Sequence, residues 1–335
     1  MAHLIENTLA ILRDVMTAHK TAMSGGAPAP PPVPLPAAAD PRAEFAIRLL
    51  TAVEARYGLD INILTADKLL RVLQPIALAE LGPYVERMAR SSADDPQWQA
   101  LIEQLTVNET YVMRDPEQLQ FFATLLLGLI ADATAKRRFR LRFWSVGCAS
   151  GEETYTVAAL AHEALLAADF ALERGARIEL KPPWRVEVLG CDISRRSLAQ
   201  ARAGSYETGP LSSFRGEPAE LLRYFPLAAS GSNGARRAAV KRSVHECLRD
   251  AVRFEPFNLV ADSPPTPGFD AVICRNVLVH FSARARALAH GLLQAAVRPG
   301  GYLLLGPTDS LASGSEFEAL WAPGAVIQRR RPADA

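Results

Sequence analysis

Apolar positions recur along this chain with two different periods, and the change between them falls near Pro116. Upstream the spacing is helical. Ile5, Leu9, Leu12 and Met16 stand four, three and four residues apart, which predicts a short amphipathic helix over residues 4–20. Phe45, Leu49, Leu50 and Val53 fall on one helical face, and Leu69, Leu70, Val72 and Leu73 follow. Gly82-Pro83 then punctuates the chain before another helical stretch. Residues 41–115 therefore read as a small all-helical domain. Downstream, short apolar runs alternate with helical segments. The runs are 142–146, 184–191, 252–254, 269–274 and 301–306, and the second ends on Asp192. This alternation predicts a doubly wound, mainly parallel sheet over residues 116–335.

Two stretches depart from either period. Residues 21–40 are rich in proline and alanine, the composition of a semi-rigid linker. It tethers the 4–20 helix, whose apolar face either docks on its own protein or serves self-association or a partner. Residues 204–250 interrupt the strand–helix rhythm with Gly209-Pro210, a helix-like 219–225, a polar turn at 230–234 and a strand-like 239–244. They predict a small β-subdomain inserted on the sheet.

Composition narrows the classes. Of 335 residues, 49% are hydrophobic and 22% charged, ample for a core. A net charge of +1 gives no long-range attraction to nucleic acid or an anionic membrane. No uninterrupted apolar run suits a membrane span, and Glu6 and Asp14 argue against a secretory signal, so membrane insertion is not expected. Cys148, Cys191, Cys247 and Cys274 lack metal-ligand spacing, so no metal site is expected. Free thiols in apolar runs suit a reducing compartment, and a cytoplasmic location is the expectation.

The densest local signal is Trp144-Ser145-Val146-Gly147-Cys148-Ala149-Ser150-Gly151-Glu152-Glu153, where a strand ends, a glycine-bounded turn follows and a helix starts. In an open parallel sheet ligands bind beyond the carboxyl ends of the strands. Asp192, at the tip of the next strand, suits the two hydroxyls of a ribose. No Lys-Ser/Thr follows the glycines, so this is not a P-loop. Two glutamates at the helix start repel a pyrophosphate and suit a cationic ligand, although acidic residues also favour a first helical turn in their own right.

Together these motifs resemble the CheR-type chemotaxis-receptor glutamate O-methyltransferases. That family's Asn-x-Thr-x-x-x-Arg is matched by residues 108–114, its Trp-Ser-x-Gly-Cys-x-x-Gly-Glu-Glu by 144–153 and its Asp-Ile by Asp192-Ile193. Its Ala-x-x-Gly-x-Tyr is matched by 201–206, and two later elements by 254–259 and 269–277. The resemblance implies a class I S-adenosylmethionine (SAM)-dependent methyltransferase fold, with S-adenosylhomocysteine as product. It implies a cofactor pocket lined by Asn108, Thr110, Arg114, Gly147, Glu153, Asp192, Asn258, Leu259, Arg275 and Asn276. By type, Asp192 would hold the ribose diol and Asn258 the adenine edge, unless Asn258 only closes a strand-end turn. Arg114 is the residue expected to act in the chemistry, and the implied partner is a chemoreceptor or related signalling protein.

The chain departs from the family pattern in three places. His280 stands where the family carries tyrosine, either touching substrate or filling space. It joins Arg114 as a catalytic candidate. Val112-Met113 replaces an aromatic pair, and residues 68–74 hold only two cations where the family's receptor-facing helix is richer. Together with the proline-tethered helix at 4–20, the last departure points to a partner other than a standard chemoreceptor. Two alternatives stay open from sequence: a related enzyme with a different acceptor, and a scaffold that binds SAM or its product without turnover.

Overall fold

The computed structural model of the protein describes residues 42–60, 62–175, 177–209, 211–215, 219–228, 240–307, 309 and 316–332. The helix expected over 4–20, the linker at 21–40 and the turn at 230–234 lie outside these residues. The described residues group into two compact units. One runs to Val107 and includes His280–Ala287; the other comprises Asn108–Val279 and the chain from Leu288.

The first unit holds α1 (Arg42–Tyr57), α2 (Ile63–Leu73), α3 (Leu78–Arg90) and α4 (Pro96–Leu105). Burial follows the helical period: Leu49, Leu50 and Val53 on α1, Leu69 and Leu73 on α2, Leu81, Val85 and Met88 on α3. Local chemistry sets the starts. Asn62 Oδ1 accepts the Thr65 N–H at 3.0 Å ahead of α2, and Asp95 Oδ1 accepts the Gln97 N–H at 2.8 Å beside Pro96 at the head of α4. Trp98, fully buried, donates its indole N–H to the Met88 carbonyl at 2.9 Å. The Asp60 N–H donates to the His280 carbonyl at 2.7 Å, which ties that later segment to this unit.

The second unit is built on a seven-stranded sheet. Its strands are β1 (Arg140–Val146), β4 (Arg185–Asp192), β7 (Val252–Pro256), β8 (Phe269–Cys274), β9 (Val297–Leu305), β10 (Phe317–Ala322) and β11 (Ala325–Arg330), in the order β10-β11-β9-β8-β1-β4-β7. The five strands from β9 to β7 are parallel; β10 and β11 form an antiparallel hairpin on β9. The five expected strands are the parallel ones. β8 is buried along its whole length, as a strand covered on both faces must be. Asp270 enters this core because Arg138 and Arg298 neutralise it at 2.8 and 2.6 Å. The main helices are α5 (Pro116–Ala135), α6 (Glu152–Ala167), α7 (Arg195–Ala203), α8 (Glu246–Ala251) and α9 (Ala283–Ala296).

Four features differ from expectation. Residues 108–115, read with the helical region, belong to the sheet unit, because the Val112 N–H donates to Ser213 O and the Met113 N–H to Thr156 Oγ1. The β10–β11 hairpin and a second hairpin of β2 (Ala171–Arg174) and β3 (Arg177–Leu180) were not foreseen; Glu173, Arg174, Arg177 and Glu179 dilute the apolar signal of the latter. At 20 residues, α5 has the length and composition of a membrane span. Its Leu119, Phe122, Leu126, Leu129 and Ile130 are buried within this unit's core, and Gln118 donates to the Leu305 and Val326 carbonyls. The insert contains an antiparallel pair, β5 (Ser205–Glu207) with β6 (Lys241–Ser243), and a 3-10 turn, Ala219–Tyr224, where a helix was expected. All four cysteines are free and buried.

The chain leaves β1 to one side through β4 to β7 and returns to β1's other side at β8. The strand order therefore reverses at β1. The carboxyl ends of β1, β4 and β8 border the crevice where parallel sheets receive ligands.

Candidate functional site

The loop leaving β1 is stitched to the end of β4. The N–H groups of Gly147 and Cys148 donate to the Cys191 carbonyl at 2.7 and 2.9 Å. Gly147 (φ +71°) and Gly151 (φ +94°) adopt left-handed backbone. A Cβ on Gly147 would come within 2.3 Å of Val277 Cγ2, and one on Gly151 within 2.8 Å of Ala201 Cβ. Both glycines are thus required by the protein's own packing, before any ligand is considered.

This stitching places Asp192. Its Oδ2 accepts the Ala149 N–H and its Oδ1 the Ser194 N–H, both at 2.8 Å. Burial pushes its pKa up, and the backbone donors of Ser194, Ala149 and Ile193 oppose the rise. A carboxylate offers about four lone-pair sites, so a clamp of this kind leaves acceptor capacity for two hydroxyls.

The paired glutamates have separate tasks. Glu152, almost fully buried, accepts Ser150 Oγ at 2.8 Å and Ser213 Oγ at 2.6 Å, a structural arrangement that joins the insert to the head of α6. Glu153 accepts Ser145 Oγ at 2.9 Å and lies 3.3 Å from Arg275 Nε. Burial raises the pKa of both; at Glu153 the Arg275 charge opposes it.

Arg275, just past β8, has a side chain that is 1% exposed. Its Nη2 donates to the Arg114 carbonyl and lies 3.4 Å from Asp115 Oδ2. Nε is close enough to Glu153 for charge pairing but not aligned for a hydrogen bond, and Nη1 is buried with no hydrogen-bond partner. Buried guanidinium N–H groups left in that state are costly. One buried guanidinium with unsatisfied N–H groups and two carboxylates, the mostly buried Glu153 and the buried Asp192, thus suit the carboxylate, cationic and hydroxyl groups of SAM.

Arg114 sits between two non-glycine residues in left-handed backbone, Met113 (φ +58°) and Asp115 (φ +51°). Its Nη1 donates to the Glu109 carbonyl, and its Cζ is 6.0 Å from the centre of the Tyr111 ring. Asn276 (φ +59°) is left-handed too, a conformation asparagine tolerates. Asn258 Oδ1 accepts the Val260 N–H at 3.1 Å, so it does close a strand-end turn, and Leu259 is buried beside it. Asn108 is exposed and Thr110 half-buried. All these candidates belong to the sheet unit; His280, exposed, groups with the helical unit. Sequence reasoning missed Ser145, Ser213, Tyr111 and Arg215. Only Ser145, a polar residue within an apolar strand, carried a signal.

A model of the family described as "CheR methyltransferase, SAM binding domain" matches residues 108–323. The chain belongs to this family. The match starts at Asn108, where the sheet unit starts. Chemotaxis protein methyltransferase 1 of Pseudomonas aeruginosa is 29% identical over 255 residues, which cover 76% of this chain and 84% of that relative. The chemotaxis protein methyltransferase of Escherichia coli is 28% identical over 247 residues, 73% of this chain and 76% of its own. Chemotaxis protein methyltransferase 2 of Vibrio cholerae is 30% identical over 247 residues, 72% and 76% respectively. This CheR-family chain is a SAM-dependent methyltransferase with a mostly parallel seven-stranded sheet.

Proposed function

We propose that the protein esterifies glutamate side chains of a chemoreceptor or related signalling protein, acting from the cytoplasm. The observation that carries this reading is Arg114, a guanidinium on a strained, multiply anchored segment joined through its carbonyl to the buried Arg275. Left-handed backbone on both sides of one residue costs free energy and persists where the surroundings impose it, a pattern found at functional sites.

Bound SAM supplies a methyl carbon activated by the adjacent sulfonium. The acceptor glutamate needs no strong base, because its carboxyl group, with an ordinary pKa of about 4.3, is already ionised at neutral pH. What the protein contributes is alignment and removal of water from the acceptor. Asp192 would hold the ribose and Arg275 the methionine carboxylate, while Asn258, whose Oδ1 closes the turn after β7, would meet the adenine edge through its amide nitrogen. Asn108, Thr110, Gly147, Leu259 and Asn276 complete the cofactor's surroundings. Arg114 orients the incoming carboxylate through one oxygen, since a two-pronged grip would hold both nucleophilic oxygens. His280 stands at the motif position of the family's tyrosine, and on that position we assign it a hydrogen bond to the acceptor.

Transfer of a labelled methyl group from SAM to receptor-containing membranes, followed by mild alkali, tests the reading. Release of the label as methanol is expected, because carboxyl esters hydrolyse there. Label that resists alkali, or that appears only on small molecules, would overturn it.

A further inference from the structure

We propose that Arg215, carried by the inserted segment, is a positioning residue for methyl transfer that sets Arg114 through Glu109 and Tyr111. The inference rests on the reading that Arg114 meets the acceptor.

Three contacts converge on the 109–114 segment from the insert. Arg215 Nη2 pairs with Glu109 Oε1 at 2.5 Å. The Arg215 Cζ lies 4.3 Å from the centre of the Tyr111 ring, which Arg114 also approaches, at 6.0 Å. Two residues earlier in the insert, Ser213 accepts the Val112 N–H at 2.8 Å through its carbonyl and gives its hydroxyl to Glu152 at 2.6 Å. Glu109 and Tyr111 are held by Arg215 and in turn face Arg114: the Glu109 carbonyl accepts Arg114 Nη1, and the Tyr111 ring lies beside its guanidinium.

An exposed ion pair alone would count for little. This one closes over an aromatic face, and a planar guanidinium stacks on such a face where an ammonium does not. It also acts on a segment whose left-handed Met113 and Asp115 need external restraint to stay in place. The anchors on the sheet side are Thr156 Oγ1, which accepts the Met113 N–H, and Arg275 on the Arg114 carbonyl. Those fix the backbone. Arg215 is the contact that reaches the two residues facing the Arg114 side chain. The insert therefore has a part in the reaction as well as in the fold.

The test uses the full chain and the variants Arg215→Ala, Arg215→Lys, Arg114→Ala and the Arg114→Ala/Arg215→Ala double. It reads three quantities: methyl transfer to receptor-containing membranes, SAM affinity by calorimetry, and amide hydrogen exchange of residues 108–115. Arg215→Ala is expected to lower kcat about tenfold, as misplacement of an orienting group does, with SAM Kd within about twofold. Arg215→Lys keeps the charge but not the stacking and should fall between. The double variant should be no slower than Arg114→Ala, because both act through one group. Exchange at 108–115 should quicken in Arg215→Ala. The proposal fails if Arg215→Ala transfers at the wild-type rate, if the two losses multiply, or if exchange is unchanged. Should Arg215→Ala not fold, Arg215→Lys carries the same readouts. If the wild type methylates no protein, the functional reading falls, and hydrogen exchange alone decides the positioning claim.

Discussion

The two ends of the candidate cofactor site are made of different material. At Asp192 the working carboxylate is fixed by main-chain donors, Ala149 and Ser194, on a loop whose glycines are dictated by packing against Val277 and Ala201. At Arg114 and Arg275 the working groups are long side chains that hold one another, Glu153 and a segment bent through left-handed backbone. Main-chain geometry depends on few side-chain identities beyond its glycines. A mesh of side chains depends on every member. On the proposed reading the first end grips the nucleoside of SAM and the second meets the acceptor.

The sharpest way to break this contrast is at the side-chain end. Arg114→Ala is expected to lower kcat about 100-fold, the scale of lost alignment, while SAM Kd moves less than about threefold. Parallel calorimetry and initial rates check it; a variant weakened mainly in SAM binding would merge the two ends. The converse is expected of Asp192→Asn. Turning one oxygen into a donor facing a backbone N–H should cost about 2 kcal/mol of SAM binding, or about 30-fold in Kd, with kcat at saturation nearly unchanged.

A smaller effect sharpens the side-chain end. His280→Phe should lower kcat about fivefold, the worth of one ordinary hydrogen bond. A kcat unchanged in the variant would remove His280 from the reaction.

The smallest effect concerns pH at the main-chain end. Burial holds the Asp192 pKa above its ordinary 3.8, so acidification protonates it and removes one acceptor for the ribose. SAM Kd should weaken as the pH falls toward that raised value, and Asp192→Asn should not share that slope. Without cofactor the linkage has the opposite sense. A carboxyl group whose pKa is raised on folding contributes stability that is complete below pH 3.8 and lost as pH rises through the folded value.

The same contrast explains what the sequence revealed. The Gly147 turn and Asp192 were legible because a strand end, small residues and an acidic tip are local signals. The five parallel strands were legible for the same reason, each being a short apolar run. Arg215, Tyr111 and Ser213 were not, since their meaning depends on an insert folding back across about 100 residues, and no spacing encodes that. The assignment of residues 108–115 to the helical region failed likewise: Val112 and Met113 look like helix positions until Ser213 and Thr156 claim their N–H groups. The glycines were legible as a turn but not for their reason, which is Val277 and Ala201. The β2–β3 and β10–β11 hairpins escaped because few of their residues are buried.

The most direct test of the central claim is mass-spectrometric mapping of the methyl group after wild-type and Arg114→Ala enzyme are each incubated with cell membranes and isotopically labelled SAM. The account predicts label on glutamate side chains of a chemoreceptor-type protein, lost in mild alkali and nearly absent with Arg114→Ala. Label on nitrogen or sulfur atoms, or equal labelling by the two enzymes, would contradict it.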